Sequence, residues 1–225
     1  MGGETMKQEM YKDKNNGYFT AARMDIIQLL PKNKDNKILE IGAGNGATLL
    51  AAKSLGLAKE TVGIELVKVD NYSENFPNID KFIYGDIESI KLDFEENYFD
   101  VIICADVLEH LVNPWETIKK LGRFQKEGGI FLSSIPNIRN YRILRSIILG
   151  GDFRYQDGGI LDRTHLRFFC KKNIIQMFED NDYEIIKINT NMGAYGLKQK
   201  FLNNLTLKIF DDFFVFQYCT VARKK

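Results

Sequence analysis

Two short segments carry side chains that can act on a substrate hydroxyl. The first contains Asp106, Glu109 and His110, and the second contains His165; these are the two histidines of the chain. An imidazole with a pKa of about 6.5 can take a proton at neutral pH, so His165 is a candidate general base, with His110 and Glu109 as further catalytic candidates. Alternatively, all four side chains bind one Mg²⁺-like ion. The plain structural alternative is that Glu109 and His110 cap and pack a loop.

A glycine-rich segment, GAGNG at 42–46, directly follows an apolar run and precedes a predicted helix. Glycines let the backbone approach a ligand closely, and a helix N-terminus offers free N–H groups to it. Three glycines in five residues cost backbone entropy, which disfavours a turn without a ligand. Gly42, Gly44 and Ala47 also fit the pattern G-x-G-x-x-A, so a nicotinamide cofactor is an alternative.

Acidic residues follow the next two predicted strands. Glu65 lies 19 residues after Gly46, where a carboxylate can accept hydrogen bonds from two ribose hydroxyls. Asp86 follows the third strand, where it can accept from an adenine amino group while Ile87 packs on the ring. The structural alternatives are an exposed acid for Glu65 and a turn cap for Asp86.

The hydrophobic pattern predicts a scaffold that brings these strand ends together. Apolar runs predict strands at 37–41, 61–65, 81–84, 99–104, 130–135, 183–191 and 213–223, and helices at 46–55, 113–124 and 171–180. Alternating strands and helices predict parallel βαβ units with right-handed crossovers. The carboxyl ends of such strands lie along one edge of a sheet.

Together these segments resemble a class I S-adenosylmethionine-dependent methyltransferase. The resemblance runs through ILEIGAGNG at 38–46, Glu65, Gly85-Asp86, FDVI at 99–102 and FLSSIPN at 131–137. It implies an α/β, doubly wound, Rossmann-like fold: a mostly parallel seven-stranded sheet with an antiparallel last strand, helices on both faces and a small acceptor-binding lobe. The resemblance covers about 18–190; from the chain as a whole we expect one domain over 1–225, with 1–31 as a helical cover and 137–170 and 192–212 as acceptor-binding insertions.

The same resemblance implies S-adenosylmethionine as methyl donor and S-adenosylhomocysteine as product. Glu40 and the glycine loop would hold the methionine end, Glu65 the ribose and Asp86 the adenine, with Cys104 and Ala105 behind the sulfonium. The implied cofactor-binding set is Tyr18, Glu40, Gly42, Ala43, Gly44, Asn45, Glu65, Leu66, Gly85, Asp86, Ile87, Cys104, Ala105 and Asp106.

The order of Asp106, Glu109, His110 and the later His165 resembles O-methyltransferases of ubiquinone pathways and small-RNA 2′-O-methyltransferases. In those families such residues can coordinate a metal, which implies a Mg²⁺ site here. This chain departs from them at Asp106, which is one methylene shorter than glutamate. General-base catalysis by His165 is therefore the competing interpretation.

Residues 137–170 differ in composition from the rest of the chain. They hold six of the nine arginines and none of the 22 lysines, and with three aspartates their charge is 6 − 3 = +3. Guanidinium groups bind phosphate or carboxylate, and aromatic side chains stack on rings. The predicted acceptor-binding residues are Arg139, Tyr141, Arg154, Tyr155, Arg163 and Arg167. They favour an anionic, glycan-type or nucleotide-linked acceptor; the alternative is a solvated, self-paired lobe.

Overall composition excludes several classes of protein. The 225 residues carry 31 basic and 30 acidic side chains, a net charge of +1, which disfavours a broad nucleic-acid or membrane surface and makes an RNA acceptor the secondary hypothesis. Three scattered cysteines without a CxxC pattern predict a reducing, cytoplasmic location. The absence of an apolar run of about 18 residues predicts no transmembrane helix.

Two further classes are alternatives to a methyltransferase. A nicotinamide reductase would use Tyr-x-x-x-Lys, which occurs as Tyr183 and Lys187. These residues fall in a predicted strand, where positions four apart are too distant to act together. The second alternative is a cofactor-binding protein without catalysis. The sequence therefore favours methyl transfer to a hydroxyl of a small or glycan-type acceptor.

Overall fold

A computed structural model describes residues 22–68, 78–191 and 211–225, which form a seven-stranded sheet with helices against it. The strands are β1 Lys37–Ile41, β2 Glu60–Glu65, β3 Lys81–Tyr84, β4 Phe99–Ala105, β5 Gln125–Pro136, β6 Tyr183–Asn191 and β7 Gln217–Lys224. Their spatial order is β3-β2-β1-β4-β5-β7-β6. Strands β1 to β5 pair in parallel, whereas β7 runs antiparallel to β5 and β6. The predicted mixed sheet is confirmed.

The helices are α1 Met24–Ile27, α2 Ala47–Ser54, α3 Pro114–Gly122, α4 Tyr141–Gly150, α5 Lys171–Glu179 and α6 Asp211–Phe214, with a 3₁₀ turn at Leu108–His110. Helix α3 begins at the predicted cap, where the Asn113 side chain accepts a hydrogen bond from the Glu116 N–H at 3.2 Å. Helix α4 was not predicted, because 137–170 shows no clean period. No helix of the described ranges is long and apolar enough to cross a membrane.

Side chains of the parallel strands alternate between two apolar clusters. Leu39 and Ile102 pack on one face with residues of α3 and α5, whereas Ile38 and Val101 pack on the other face with residues of α1 and α2. Both faces of a parallel sheet must be covered, and these helices cover them. The predicted doubly wound arrangement is confirmed.

Two strand boundaries differ from the predictions for local reasons. Strand β5 begins at Gln125 rather than near Ile130. Gln125 pairs with Phe99 and Ile130 with Val101, so the predicted glycine turn is a bulge within the strand. Strand β7 begins at Gln217 rather than at 213, because α6 occupies the positions before it. Most of the predicted 1–31 cover and 192–212 insertion lies outside the described residues.

The strand order reverses direction between β1 and β4. In doubly wound sheets this switch point opens a crevice at the carboxyl ends of the strands. The segments that follow β1, β2, β3 and β4 all meet there, so the glycine loop, Glu65, Gly85 and Asp106 share one edge.

Candidate active site

The glycine loop takes backbone conformations that favour glycine. Gly42, Gly44 and Gly46 have φ angles of +68°, +55° and +78°. A Cβ on Gly42 would lie 2.6 Å from a methyl carbon of Val107, so a side chain there would clash with the segment after β4. The segment after β4 therefore packs directly on Gly42 and leaves no room for a side chain there.

The carboxylate of Glu65 folds onto this loop. One oxygen accepts from the Gly44 N–H at 2.7 Å and the other from the Leu66 N–H at 2.8 Å. Burial raises the pKa of this carboxyl, while the backbone donors oppose the rise. The side chain is therefore anchored on backbone groups at the mouth of the crevice rather than exposed at a strand end.

Glu40, at the end of β1, is a buried acid. It is 3% exposed, and its Oε2 has no hydrogen-bond partner among the described residues. Burial raises its pKa to about 8, and the nearby charge of Glu65 adds to that rise. A bound cation or ammonium group would satisfy this oxygen and favour its ionised form.

These groups line a cavity of about 190 Å³ at the sheet edge. Its walls include eleven predicted cofactor residues: Glu40, Gly42, Ala43, Gly44, Asn45, Glu65, Leu66, Gly85, Ile87, Ala105 and Asp106. The structure brings most of the predicted set to one place, as expected for loops that share a sheet edge.

Three predicted cofactor residues are not among the cavity walls. Cys104 is fully buried in the core cluster of β4, where burial raises the pKa of its thiol. Asp86 accepts a hydrogen bond from the Glu88 N–H at 3.0 Å, the turn-capping arrangement given above as its structural alternative. Tyr18 lies outside the described residues.

Asp106 is held in a network that was not predicted. It has a φ of +55°, its N–H donates to the Ser134 Oγ at 3.0 Å, and its carboxylate accepts from Arg23 and Gln217. Arg23 also lines the cavity. Ser134 and Gln217 come from β5 and β7, so strand pairing rather than a local motif brings them to Asp106.

Glu109, His110 and His165 form a buried cluster. One ligand atom of each lies within 4.8 Å of those of the other two, and the imidazole centroids are 4.6 Å apart. Asp106 does not join this trio, so the four-ligand set expected from the sequence is corrected to three. The Asp106 carboxylate is instead held by Arg23 and Gln217.

Backbone carbonyls fix the orientation of both imidazoles. His110 Nδ1 donates to the Thr164 carbonyl at 3.0 Å, and His165 Nδ1 donates to the Ile160 carbonyl at 2.9 Å. In a neutral ring this leaves the lone pair on Nε2. Glu109 is 1% exposed, and neither of its carboxylate oxygens accepts a hydrogen bond within the described part of the chain. Burial raises its pKa well above the usual range, and Asp106 adds to this.

A second cavity, of about 580 Å³, lies between α4, the segment 152–161 and the residues before β7. It is lined by Asn140, Tyr141, Arg142, Ile143, Ser146, Asp152, Arg154, Tyr155, Gln156, Gly159, Ile160, Leu161, Phe214 and Phe216. Ile160 binds His165, while Thr164, which binds His110, lines the first cavity. His110 itself also lines the first cavity, whereas His165 lines neither and is tied to a wall of the second through Ile160.

The six predicted acceptor residues divide into two groups. Tyr141, Arg154 and Tyr155 line the second cavity. The other three are engaged elsewhere: Arg139 lies 4.2 Å from the Phe213 ring, Arg163 pairs with Asp157, and Arg167 donates to the Val112 carbonyl at 3.0 Å.

Tyr183 and Lys187, the pair that a nicotinamide reductase would use, lie far from the glycine loop. Both are on β6, which is separated from β1 by β4, β5 and β7 in the sheet. The Tyr183 hydroxyl is buried and donates to the Gln125 side-chain oxygen at 2.6 Å. This tyrosine therefore belongs to the core.

Comparison with known proteins identifies a family of similar sequences. A family model described as a methyltransferase domain matches residues 16–188. Ubiquinone biosynthesis O-methyltransferases are similar over comparable lengths: that of Coxiella burnetii (strain Dugway 5J108-111) is 25% identical over 183 residues, covering 80% of this chain and 76% of the relative. That of Rickettsia felis is 27% identical over 155 residues, covering 66% of this chain, which matches 61% of the relative's length.

Solved structures share the fold. A SAM-dependent methyltransferase from Archaeoglobus fulgidus aligns with a TM-score of 0.64 at 18% identity, covering 93% of this chain and 97% of that one. A putative methyltransferase bound to the Trm112 activator from Haloferax volcanii aligns with a TM-score of 0.66 at 13% identity, covering 99% of both chains. Because the family model spans most of the chain and the fold agrees, the chain belongs to the methyltransferase domain family and is a class I S-adenosylmethionine-dependent methyltransferase.

Proposed function

We propose that this chain transfers a methyl group from S-adenosylmethionine to a hydroxyl of a small anionic acceptor placed beside the histidine pair. The observation that carries the proposal is that His110 lines the first cavity while His165, packed against it, is hydrogen-bonded to Ile160 in the wall of the second. The relatives named as O-methyltransferases support oxygen as the acceptor atom.

The first cavity fits the methyl donor. The Oε2 of Glu40 suits the ammonium of its methionine end, and the glycine loop lines the same cavity. The Glu65 carboxylate oxygens would accept hydrogen bonds from ribose hydroxyls, and Gly85 and Ile87 would border the adenine. When bound, S-adenosylmethionine supplies a methyl group on a positively charged sulfur. The protein's main contribution is then to hold acceptor and donor in line.

His165 is the proposed general base. Its Nδ1–H is fixed by the Ile160 carbonyl, so Nε2 can accept a proton from an acceptor hydroxyl. His110 is fixed in the same way, and Glu109 can stabilise the imidazolium that forms. The trio therefore supplies a base beside a buried carboxyl whose raised pKa falls when an imidazolium forms next to it, which favours its ionised form.

A second candidate role for the trio is to bind a divalent metal ion, which would lower the pKa of the acceptor hydroxyl. The buried carboxylate of Glu109 and the oriented Nε2 atoms fit such an ion. Two imidazoles and one carboxylate suit zinc, manganese or iron, whereas Mg²⁺ prefers oxygen ligands. We therefore favour a transition metal over the Mg²⁺ expected from the sequence.

Metal content distinguishes these roles. We expect titration with Zn²⁺ or Mn²⁺ to give one bound ion per chain if the trio is a metal site, and Glu109→Gln to remove it. Retention of the ion by Glu109→Gln and by His165→Ala would exclude this site. Binding of no ion, with methyl transfer unaffected by chelators, would leave general-base catalysis.

The second cavity is the proposed acceptor site. Tyr141, Tyr155 and Phe214 offer ring surfaces, and Arg142 and Arg154 offer positive charge. These side chains suit an acceptor with a ring and an anionic group, such as a nucleotide- or lipid-linked sugar. A ubiquinone precursor is the alternative suggested by the relatives' names, and RNA is disfavoured by the net charge of +1.

The proposal includes the organisation of the chain. We propose one catalytic domain with 137–170 and 192–212 as acceptor-binding insertions and 1–31 as a cover for the cofactor. A cytoplasmic location agrees with the free thiols of Cys104, Cys170 and Cys219.

Transfer of radioactive methyl from S-adenosylmethionine to a panel of acceptors tests this function. We expect anionic sugar conjugates or phenols to be labelled on oxygen, as judged by mass spectrometry of the product. Labelling on nitrogen, or labelling of RNA alone with a steep loss of activity as salt increases, would overturn it.

A further inference from the structure

Helix α4 is amphipathic and unusually exposed. None of its ten residues is buried, although five of them are Ile or Leu. Ile148 and Leu149 are 73% and 79% exposed, and Ile147 is 37% exposed. A cluster of exposed large apolar side chains marks an interaction surface.

The apolar surface continues beyond the end of the helix. Gly151 ends α4 in the left-handed conformation, and Phe153 and Tyr155 follow as exposed aromatic residues. Their rings pack edge to face with centroids 5.8 Å apart. Tyr155 and α4 also border the second cavity, so this surface lies at the rim of the proposed acceptor site.

Positive charge accompanies this apolar surface. Arg142 and Arg145 are exposed on α4, and residues 141–151 contain no acidic side chain. Arg145 makes no ion pair with any described residue, and it lies three and four positions before Ile148 and Leu149. On a helix, such positions are neighbours, so a cation stands beside the most exposed apolar side chains.

We propose that α4, with Phe153, rests on the surface of a membrane that contains anionic lipids. A helix with exposed Ile and Leu beside arginines is suited to the boundary between lipid headgroups and acyl chains. A second copy of the chain fits less well, because a symmetric contact through α4 would bring its arginines together. The positive charge of this surface is confined to α4, so the surface is compatible with a net charge of only +1 for the whole chain.

The consequence is a route for an amphiphilic acceptor. With α4 on the bilayer, the rim of the second cavity faces the lipid headgroups. Membrane binding itself does not depend on the proposed methyl transfer, so the two can fail separately.

Sedimentation of the full chain with vesicles tests the proposal. Vesicles would consist of phosphatidylcholine alone or of phosphatidylcholine with about 30% phosphatidylglycerol, whose charge attracts basic segments. We expect binding to the anionic vesicles and its loss at high salt. Ile147→Ser/Ile148→Ser/Leu149→Ser should weaken it by about 100-fold, and Arg142→Gln/Arg145→Gln by about 30-fold.

A matched variant controls for surface hydrophobicity. Leu55 is 56% exposed at the end of α2, so Leu55→Ser removes a similar side chain elsewhere and should leave binding unchanged. Thermal melts confirm that each variant is folded. Unchanged vesicle binding by the triple variant, or no binding to anionic vesicles by the parent chain, would overturn the proposal. Light scattering that shows a dimer dissociated by the triple variant would assign the surface to a second copy instead.

Discussion

On the cofactor side of the site, the loops after β1 and β3 bond to the neighbouring strand through their backbone, whereas exposed arginines of the proposed acceptor side, within 137–170, pair with aspartates of the same segment. Gly42 donates its N–H to the Ile64 carbonyl at 2.8 Å, and Gly85 donates to the Glu65 carbonyl at 2.9 Å. In contrast, Arg154 pairs with Asp152 at 2.7 Å on the surface. Backbone contacts between neighbouring strands allow little adjustment, whereas exposed side-chain pairs can rearrange to suit an acceptor.

This contrast predicts where substitutions act. Changes on the cofactor side should alter donor binding, those on the acceptor side should alter acceptor affinity, and those at His165 should alter turnover alone. Such a separation follows because His165 lines neither cavity, yet it packs against His110 of the first and is hydrogen-bonded to Ile160 of the second.

The largest effect on turnover is expected at the histidine pair. His165→Ala removes the proposed base, and we expect turnover to fall by at least about 100-fold, the usual scale for loss of a base. Affinity for S-adenosylhomocysteine should stay within about twofold of the parent, because His165 is not among the first cavity's walls. Steady-state kinetics measures turnover, and calorimetry measures the affinity for S-adenosylhomocysteine. An equal loss of both in His165→Ala would contradict a role for His165 in turnover alone.

The next largest effect is expected at Glu65. Glu65→Ala should weaken S-adenosylhomocysteine binding by about 100-fold, because two hydrogen bonds to a charged group are lost. Glu60 begins the same strand, and its carboxylate accepts from the Tyr98 hydroxyl at 2.8 Å, away from the cavity. Glu60→Ala is therefore the matched control and should bind normally; equal losses in both variants would indicate a general folding defect.

A smaller effect is expected on the acceptor side. Tyr155→Ala should raise the acceptor KM by about tenfold with kcat nearly unchanged, which is the scale of one lost aromatic contact. Arg163 pairs with Asp157 outside the second cavity, so Arg163→Ala should leave KM unaltered. A larger KM effect from Arg163→Ala than from Tyr155→Ala would place the acceptor elsewhere in 137–170.

The smallest effect concerns pH. Because burial raises the pKa of Glu40 to about 8, the folded protein holds a proton that the unfolded chain releases near its ordinary pKa. This acid therefore lowers the free energy of unfolding as pH rises from about 5 to 8. A bound ammonium favours the ionised acid, so S-adenosylhomocysteine should bind more tightly at pH 8 than at pH 6. Glu40→Gln should remove both pH dependences, that of the free energy of unfolding and that of S-adenosylhomocysteine affinity. A variant whose affinity still rises from pH 6 to pH 8 would contradict this role.

The sequence predicts the cofactor side well for a physical reason. Positions such as Gly42 and Glu65 follow short apolar strands, and the parallel arrangement of those strands dictates that their ends meet. The network around Asp106 could not be predicted, because Ser134 and Gln217 reach it through the pairing of β5 with the distant β7. The amphipathic pattern of α4 was a local signal, but glycines and aromatic residues after it obscured the period.

Calorimetric titration with S-adenosylhomocysteine is the most direct test of the central claim, that the cavity beside the glycine loop holds the methyl donor. We predict one site per chain in the parent protein, retained in His165→Ala and strongly weakened in Glu65→Ala. A folded parent protein that binds neither S-adenosylhomocysteine nor S-adenosylmethionine would contradict the claim, as would equal binding by Glu65→Ala.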